Sequence, residues 1–125
     1  MRLVLPLAIL CLAAAPPPPT ETMVSVSLSD FRFAPASVRI EHGRPIVLRL
    51  TNNSERGHNF VAREFFAAAA IDASGQRLVR RGKVEVPSHG TIELRLVAPA
   101  AGHYRLTCTH FTHAMRGMKG KIVVS

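Results

Sequence analysis

Five sulfur and nitrogen side chains lie close together in the C-terminal segment "LTCTHFTHAMRGMKG". They are Cys108, His110, His113, Met115 and Met118. Thiolate, imidazole and thioether groups are the side chains that bind soft and borderline transition metals. The segment therefore predicts a metal site, and the question is which of these residues are its ligands.

The spacing within this segment suits a single site. Cys108 ends the predicted strand "HYRLTC", His113 lies five residues further on, and Met118 follows after five more. A loop of this length can fold back and present all three groups around one point. A second imidazole must come from elsewhere, and His58 in "GHNF" follows the turn "NNSERG". Two histidines, one cysteine and a weak axial methionine form the set that holds copper in electron-transfer sites. The predicted ligands are thus His58, Cys108, His113 and Met118, holding one copper ion per chain.

Short strands are expected to position these residues. From Met23 onwards apolar residues alternate with polar ones, as in "MVSVSLS", "PIVLRLTN" and "TIELRLVA", and turn residues separate the segments. This pattern predicts an all-β fold, a Greek-key antiparallel β-sandwich of about seven to eight strands, with Met23 in its core. One short helix is expected in the long connection "AREFFAAAAIDASG", ending at Gly75. Phe65, Phe66 and Ile71 of that connection are expected to pack against one end of the sandwich.

The N-terminus indicates export. "MRLVLPLAILCLAAAPPPP" contains one early positive charge and an apolar run that is too short to span a bilayer and ends in small residues. We therefore predict a cleaved signal peptide at residues 1–15, a proline-rich spacer at 16–22 and the folded domain at 23–125. The product would be soluble in the periplasm. A lipid anchor at Cys11 is disfavoured, because Leu10 stands where a small residue is expected.

The cysteine count supports a role for Cys108. The chain has two cysteines, and Cys11 would leave with the signal peptide. The remaining cysteine has no partner for an internal disulfide in an oxidising compartment. An unpaired cysteine of this kind is buried and inert, reactive, or a metal ligand, and its neighbours favour the last of these.

At this point the sequence resembles the cupredoxins, the small blue-copper proteins. "SLSDFRFAPASVRIEHGRPIVLRLTNNSERGHNF" is similar to their N-terminal half, and "VEVPSHGTIELRLVAPAAGHYRLTCTHFTHAMRGMKGKIVV" to their C-terminal half. The resemblance covers almost the entire mature chain and implies the same four ligands. It also implies that Asn59, directly after the first histidine, ties the two ligand loops together. A patch of Phe111, Ala114 and Met115 would surround His113 and dock a redox partner protein or a copper enzyme.

Two further donors leave alternatives open, because the loop between the cysteine and histidine differs from that of many relatives. His110 either turns outward or forms a local hydrogen bond, or it joins or replaces a ligand and makes the site more tetragonal. Met115 is interpreted as a packing or docking residue, because Met118 stands in the matching "GMKG" context.

The function that these features predict is one-electron transfer in the periplasm, and the alternative is copper delivery without redox turnover. The eight carboxylates show no pairing suited to acid–base catalysis, and no nucleophile elbow or phosphate-binding loop is present, so no enzymatic activity is expected. The net charge of +8 is interpreted as a solvated basic face rather than a nucleic-acid site. A monomer is the expected state.

Overall fold

The structure, a computed structural model, describes residues 11–17, 20–110 and 116–125. The elements in chain order are β1 Thr22–Ser29, β2 Arg32–Ala34, β3 Ser37–Ile40, β4 Pro45–Asn52, β5 His58–Val61, α1 Arg63–Ala68, β6 Ala70–Ile71, α2 Ala73–Leu78, β7 Lys83–Val86, β8 Thr91–Val97, β9 Gly102–Thr107 and β10 Lys119–Val124. Strand β1 therefore begins one residue before the predicted start of the domain.

Within the described residues, ten strands form two five-stranded sheets. The first sheet has the order β2-β1-β4-β8-β6 and the second β3-β10-β9-β5-β7. The predicted β-sandwich is confirmed. The strand count exceeds seven to eight because β2 and β6 contain only three and two residues, too few to leave a recognisable alternation. Most strand pairs are antiparallel, as expected, but two pairs, β1 with β4 and β3 with β10, are parallel. Periodicity within a strand does not reveal the direction of its neighbour.

Aromatic rings join the two sheets across the core. The ring of Phe60, in β5, meets Phe33 of β2 and Phe66 of α1 edge to face, each with a centroid distance of 5.9 Å. Phe65 packs against Tyr104 of β9 in the same manner at 5.7 Å. Since β2 and β5 belong to different sheets, the Phe33–Phe60 contact links the layers, and the predicted burial of Phe65 and Phe66 is confirmed.

Met23 does not belong to the core, which corrects the expectation. Its exposed fraction is 46%, whereas Val26 and Leu28 of the same strand are buried. Side chains alternate between the two faces of a strand, so the inward phase of β1 runs through the even-numbered positions and excludes Met23.

The long connection contains two short helices rather than the one predicted. The strand β6 separates them by pairing Ile71 with Leu96 of β8. Asp72 then starts α2 by accepting a hydrogen bond from the backbone N–H of Gly75 at 2.7 Å. Gly75 lies inside α2 and does not end the helix. A Cβ atom there would come within 2.6 Å of the Ile71 side chain, so the glycine allows close packing.

The N-terminal segments contain little that the structure describes. Residues 11–17 are exposed and belong to no helix or strand, and residues 1–10 and 18–19 lie outside the described residues. In the part of the chain that is described, no helix is long and apolar enough to cross a membrane. The signal peptide and the spacer therefore remain predictions.

Three chain connections meet at one end of the sandwich. They are the β1–β2 turn with Asp30, the β4–β5 loop that leads to His58, and the β9–β10 connection that begins at Cys108. Asp30 accepts a hydrogen bond from His58, and Asn59 donates one to Thr109, and these bonds join the three connections. This end of the sandwich holds the candidate site.

Candidate metal centre

The structure brings together two of the four predicted ligands, His58 and Cys108. His58 is the first residue of β5 and Cys108 directly follows β9, two neighbouring strands of the second sheet. Both side chains are fully buried. The Nδ1 atom of His58 lies 3.9 Å from the Sγ atom of Cys108.

This separation permits both atoms to bind one metal ion. Metal–sulfur and metal–nitrogen bonds of first-row ions such as zinc are about 2.3 and about 2.0 Å long. Their sum exceeds the observed distance of 3.9 Å, so an ion can contact both atoms without the strands moving apart. Thiolate and imidazole are also both groups that bind copper. The residues present therefore fit a copper ion.

Met118 lies at the base of the same loop. It is fully buried, and its backbone oxygen accepts hydrogen bonds from the backbone N–H of Cys108 at 3.2 Å and from the hydroxyl of Thr107 at 3.3 Å. These bonds close the loop directly before β10. The backbone of Met118, the predicted axial ligand, thus lies beside the backbone of Cys108, the predicted thiolate ligand.

His113 lies outside the described residues, as do Phe111, Ala114 and Met115 of the predicted docking patch. Among the residues that are described, no group of three histidine, cysteine, aspartate or glutamate side chains could hold a metal ion. The assignment of His113 as a ligand therefore remains a prediction.

Asn59 ties the two ligand segments together, as the resemblance implied. Its Oδ1 accepts a hydrogen bond from the backbone N–H of Thr109 at 2.8 Å, and its Nδ2 donates to the Thr109 hydroxyl at 3.0 Å. Its own backbone N–H points at the Cys108 sulfur at 3.5 Å. One side chain after His58 therefore fixes the backbone that follows Cys108.

Replacing Asn59 with alanine should loosen this end of the molecule. Asn59 is only 2% exposed, and its loss removes two partly buried hydrogen bonds to Thr109. At about 0.5–1.5 kcal/mol for each bond, the free energy of unfolding should fall by about 1–3 kcal/mol. The free energy of unfolding of the metal-free chain, measured in urea, checks this. Asn53→Ala is the matched control, because Asn53 is exposed and its hydrogen bond to the Leu28 oxygen uses the backbone. Equal losses in the two variants would contradict the role assigned to Asn59.

Burial opposes the charged forms of both described ligands. It lowers the pKa of His58, against the effect of the Asp30 carboxylate, so the ring favours the neutral form that a metal ligand requires. It also raises the pKa of the Cys108 thiol, although the backbone N–H groups of Asn59 and His110 donate to the sulfur and act in the opposite direction. Metal binding would therefore have to release a proton from Cys108.

The second ring nitrogen of His58 contacts a carboxylate that the sequence did not single out. Nε2 lies 3.2 Å from Oδ1 of Asp30, and Oδ2 of Asp30 accepts a hydrogen bond from Nη1 of Arg56 at 2.9 Å. Burial acts to raise the pKa of Asp30, but the hydrogen bond with His58 and the charge of Arg56 lower it overall. Asp30 is therefore an anion at neutral pH.

His110 contacts the carboxylate of Glu85, a residue of β7 that is distant from it in the sequence. Its Nε2 lies 2.8 Å from Oε2 of Glu85, and the other carboxylate oxygen of Glu85 accepts from Nδ2 of Asn59 at 3.1 Å. Burial acts to raise the pKa of Glu85, but the bonds with His110 and Asn59 lower it overall. His110 thus lies in a polar network behind the ligands.

Asn52 gives the β4–β5 loop its shape. The side chain is 1% exposed, and its Nδ2 donates to the backbone oxygens of Arg56 and Val86 at 2.8 and 3.0 Å. Its Oδ1 accepts from the backbone N–H and the hydroxyl of Ser54. The loop "NNSERG" therefore folds around one buried amide and delivers His58 to the start of β5.

Sequence reasoning missed Asp30, Asn52, Arg56 and Glu85. Arg56 stood in the predicted turn "NNSERG", and Asp30 directly follows the predicted strand "MVSVSLS" without belonging to a recognised motif. Glu85 occupies an outward position of the alternating strand "KVEV". Nothing in these patterns shows which turn residue faces a ligand across the sandwich. The one available signal was the pair of asparagines at positions 52 and 53, where the apolar strand "PIVLRLTN" ends.

Comparison with known proteins identifies the class. The family model of the cupredoxin-like domain matches residues 2–124. No curated protein matches the chain. The chain belongs to the cupredoxin family.

Solved structures share the fold at low sequence identity. Dithionite-reduced auracyanin from Roseiflexus castenholzii aligns with a TM-score of 0.63 and 19% identity, over 84% of this chain and 98% of its own. Auracyanin A, a "blue" copper protein from Chloroflexus aurantiacus, aligns with a TM-score of 0.55 and 22% identity, over 82% and 99%. A mutant of amicyanin in its reduced state has a TM-score of 0.51 and 17% identity, over 82% and 81%.

Proposed function

We propose that this chain is a periplasmic electron-transfer protein that carries one electron on a single copper ion. The observation that carries the proposal is the buried pair of His58 Nδ1 and Cys108 Sγ, 3.9 Å apart. His113 and Met118 would complete the ligand set. Copper bound there would supply the change between Cu(I) and Cu(II).

The contribution of the protein is to hold the proposed ligands in fixed positions. Both described ligands lie next to strands of one sheet, and Asn59 joins their segments through three hydrogen bonds to Thr109 and to the Cys108 sulfur. Fixed ligands need to move little when the charge of the metal changes, so less energy is spent on reorganisation in each transfer. Burial also excludes water from the thiol and the imidazole.

The proposal also covers the redox partner and the oligomeric state of the chain. We propose docking of a redox partner protein or copper enzyme at Phe111, Ala114 and Met115, because these residues surround His113 in the sequence. The chain would act as a monomer without enzymatic turnover of its own. Export follows from the predicted signal peptide.

The alternative of copper delivery without redox turnover rested on the extra donors His110 and Met115. The imidazole of His110 already contacts Glu85 at 2.8 Å, which weakens that argument. A carrier would yield its copper readily to a chelator, whereas an electron-transfer protein would retain it through repeated reduction and oxidation.

Visible absorption and EPR spectra of the Cu(II)-loaded chain test the proposal. An intense blue thiolate-to-copper band with narrow parallel hyperfine splitting is expected, because a trigonal set of two imidazoles and one thiolate produces it. His113→Ala should remove or strongly alter the band, and His110→Ala, three residues away in the same loop, should leave it in place. Absence of a thiolate band in the unaltered chain would overturn the proposal. Loss of the band in His110→Ala but not in His113→Ala would reverse the ligand assignment.

A further inference from the structure

The two nitrogens of the His58 ring face different neighbours, and this determines where its proton lies. Nε2 faces Oδ1 of Asp30 at 3.2 Å, and Nδ1 faces the sulfur of Cys108 at 3.9 Å. An ionised carboxylate can only accept a hydrogen bond, so a neutral ring must carry its proton on Nε2. The lone pair of Nδ1 is then directed towards Cys108, as a metal ligand requires.

Asp30 is itself held in place from the opposite side. Arg56 donates to its second oxygen at 2.9 Å, and the Arg56 guanidinium also lies 5.7 Å from the centre of the Phe31 ring. The guanidinium of Arg116, at the end of the C-terminal ligand loop, lies 4.8 Å from the same ring. Phe31 has a positive φ of 65°, which turns the chain sharply between β1 and β2. The carboxylate therefore sits on a turn with contacts to both ligand loops.

Asp30 also joins the two sheets at the site. It follows β1 of the first sheet, whereas His58 begins β5 and Cys108 directly follows β9, both strands of the second sheet. His58 is fully buried, and the side chain of Asp30 is 39% exposed. The negative charge therefore acts on a ring that is shielded from water, where electrostatic effects are stronger than at the surface.

We propose that Asp30 is a positioning residue that orients the ring of His58 towards Cys108 and lowers the reduction potential of the copper site. This inference rests on the proposed function. The physical reason for the second effect is charge: a nearby anion stabilises Cu(II) more than Cu(I). The guanidinium of Arg56 opposes it, because a cation favours the state of lower charge.

Two substitutions that are expected to shift the reduction potential in opposite directions test this effect. Asp30→Asn keeps an oxygen that can accept a hydrogen bond from Nε2 but removes the negative charge. It is expected to weaken the binding of Cu(II) relative to that of Cu(I) by about tenfold. Tenfold corresponds to a rise of about 59 mV in a one-electron potential. Arg56→Gln leaves Asp30 without its cation and should lower the potential. Spectroelectrochemical titration measures both.

The control is Glu41→Gln. Glu41 also pairs with an arginine, Arg44, at 2.7 Å, but it lies in the β3–β4 connection before the start of β4, at the far end of that strand from His58. The substitution Glu41→Gln removes one negative charge, as Asp30→Asn does, and should leave the reduction potential unchanged. A shift in Asp30→Asn no larger than in Glu41→Gln would overturn the proposed effect on potential, as would shifts of the same sign in Asp30→Asn and Arg56→Gln.

The orientation of His58 has its own readout, ¹⁵N NMR of the imidazole in the metal-free chain. We expect the proton on Nε2 in the unaltered chain and in Asp30→Asn, and a mixture of tautomers in Asp30→Ala. An unchanged tautomer in Asp30→Ala would overturn the positioning role. If the unaltered chain binds no copper, the proposed function fails, and this measurement still decides whether Asp30 positions His58.

Discussion

Cys108→Ser is expected to abolish the intense visible band of the copper-loaded chain. The band arises from charge transfer between a thiolate and Cu(II), and a serine hydroxyl cannot replace it. The affinity for Cu(II) should also fall by more than the roughly 100-fold that loss of a supporting residue costs, since Cys108 is a proposed ligand itself. Absorption titration with Cu(II) measures both quantities.

The other cysteine of the chain supplies the control for this experiment. In the full-length chain, before any removal of the signal peptide, Cys11 is exposed and lies outside the described strands and helices, so Cys11→Ser should leave the band and the affinity unchanged. Circular dichroism of the metal-free Cys108→Ser chain separates loss of a ligand from loss of the fold. A folded Cys108→Ser chain that retains the band would exclude Cys108 as a ligand.

The largest loss of stability should come from Phe60→Ala. The ring is fully buried and contacts Phe33 of the opposite sheet and Phe66 of α1. Truncation of such a ring to alanine leaves a cavity and costs about 3–5 kcal/mol, a large share of the roughly 5–15 kcal/mol that stabilises a typical domain. Urea denaturation of the metal-free chain measures the change.

An exposed apolar residue provides the comparison for Phe60. Leu78, at the end of α2, is 40% exposed, and Leu78→Ala should change the free energy of unfolding by less than about 0.5 kcal/mol. Since Phe60 lies two residues after His58 in β5, its loss should also broaden the spectrum of the copper-loaded chain. Similar stability losses in Phe60→Ala and Leu78→Ala would refute the assignment of Phe60 to the contact between sheets.

The β-sandwich could be predicted because several of its strands bury every second residue. In β8, for example, Leu94 and Leu96 are buried, whereas Glu93 and Arg95, which alternate with them along the strand, are exposed. The parallel neighbours of β1 and β10 could not be predicted in this way, because pairing joins residues that are distant in the chain. The division of the helical connection by β6 was missed for the same reason: its two residues pair with β8.

The candidate site was predictable where a residue type and its spacing both carried chemistry. Cys108 and Met118 lie within one short segment, and His58 was found by the demand for a second imidazole. Asp30 carries no such signal, because a carboxylate in a turn is ordinarily a solvated group. Its role follows only from the sandwich, which places the β1–β2 turn against a ring 28 residues further along the chain.

The complete burial of Cys108 has a consequence for the lifetime of the metal-free protein. A thiol that is covered and kept protonated by a raised pKa reacts slowly with peroxides and with other thiols. In the folded, metal-free chain, the sulfur that we propose as a copper ligand would therefore be protected from oxidation. Wherever both cysteines are present, cross-linking between chains should occur through the exposed Cys11 and spare Cys108.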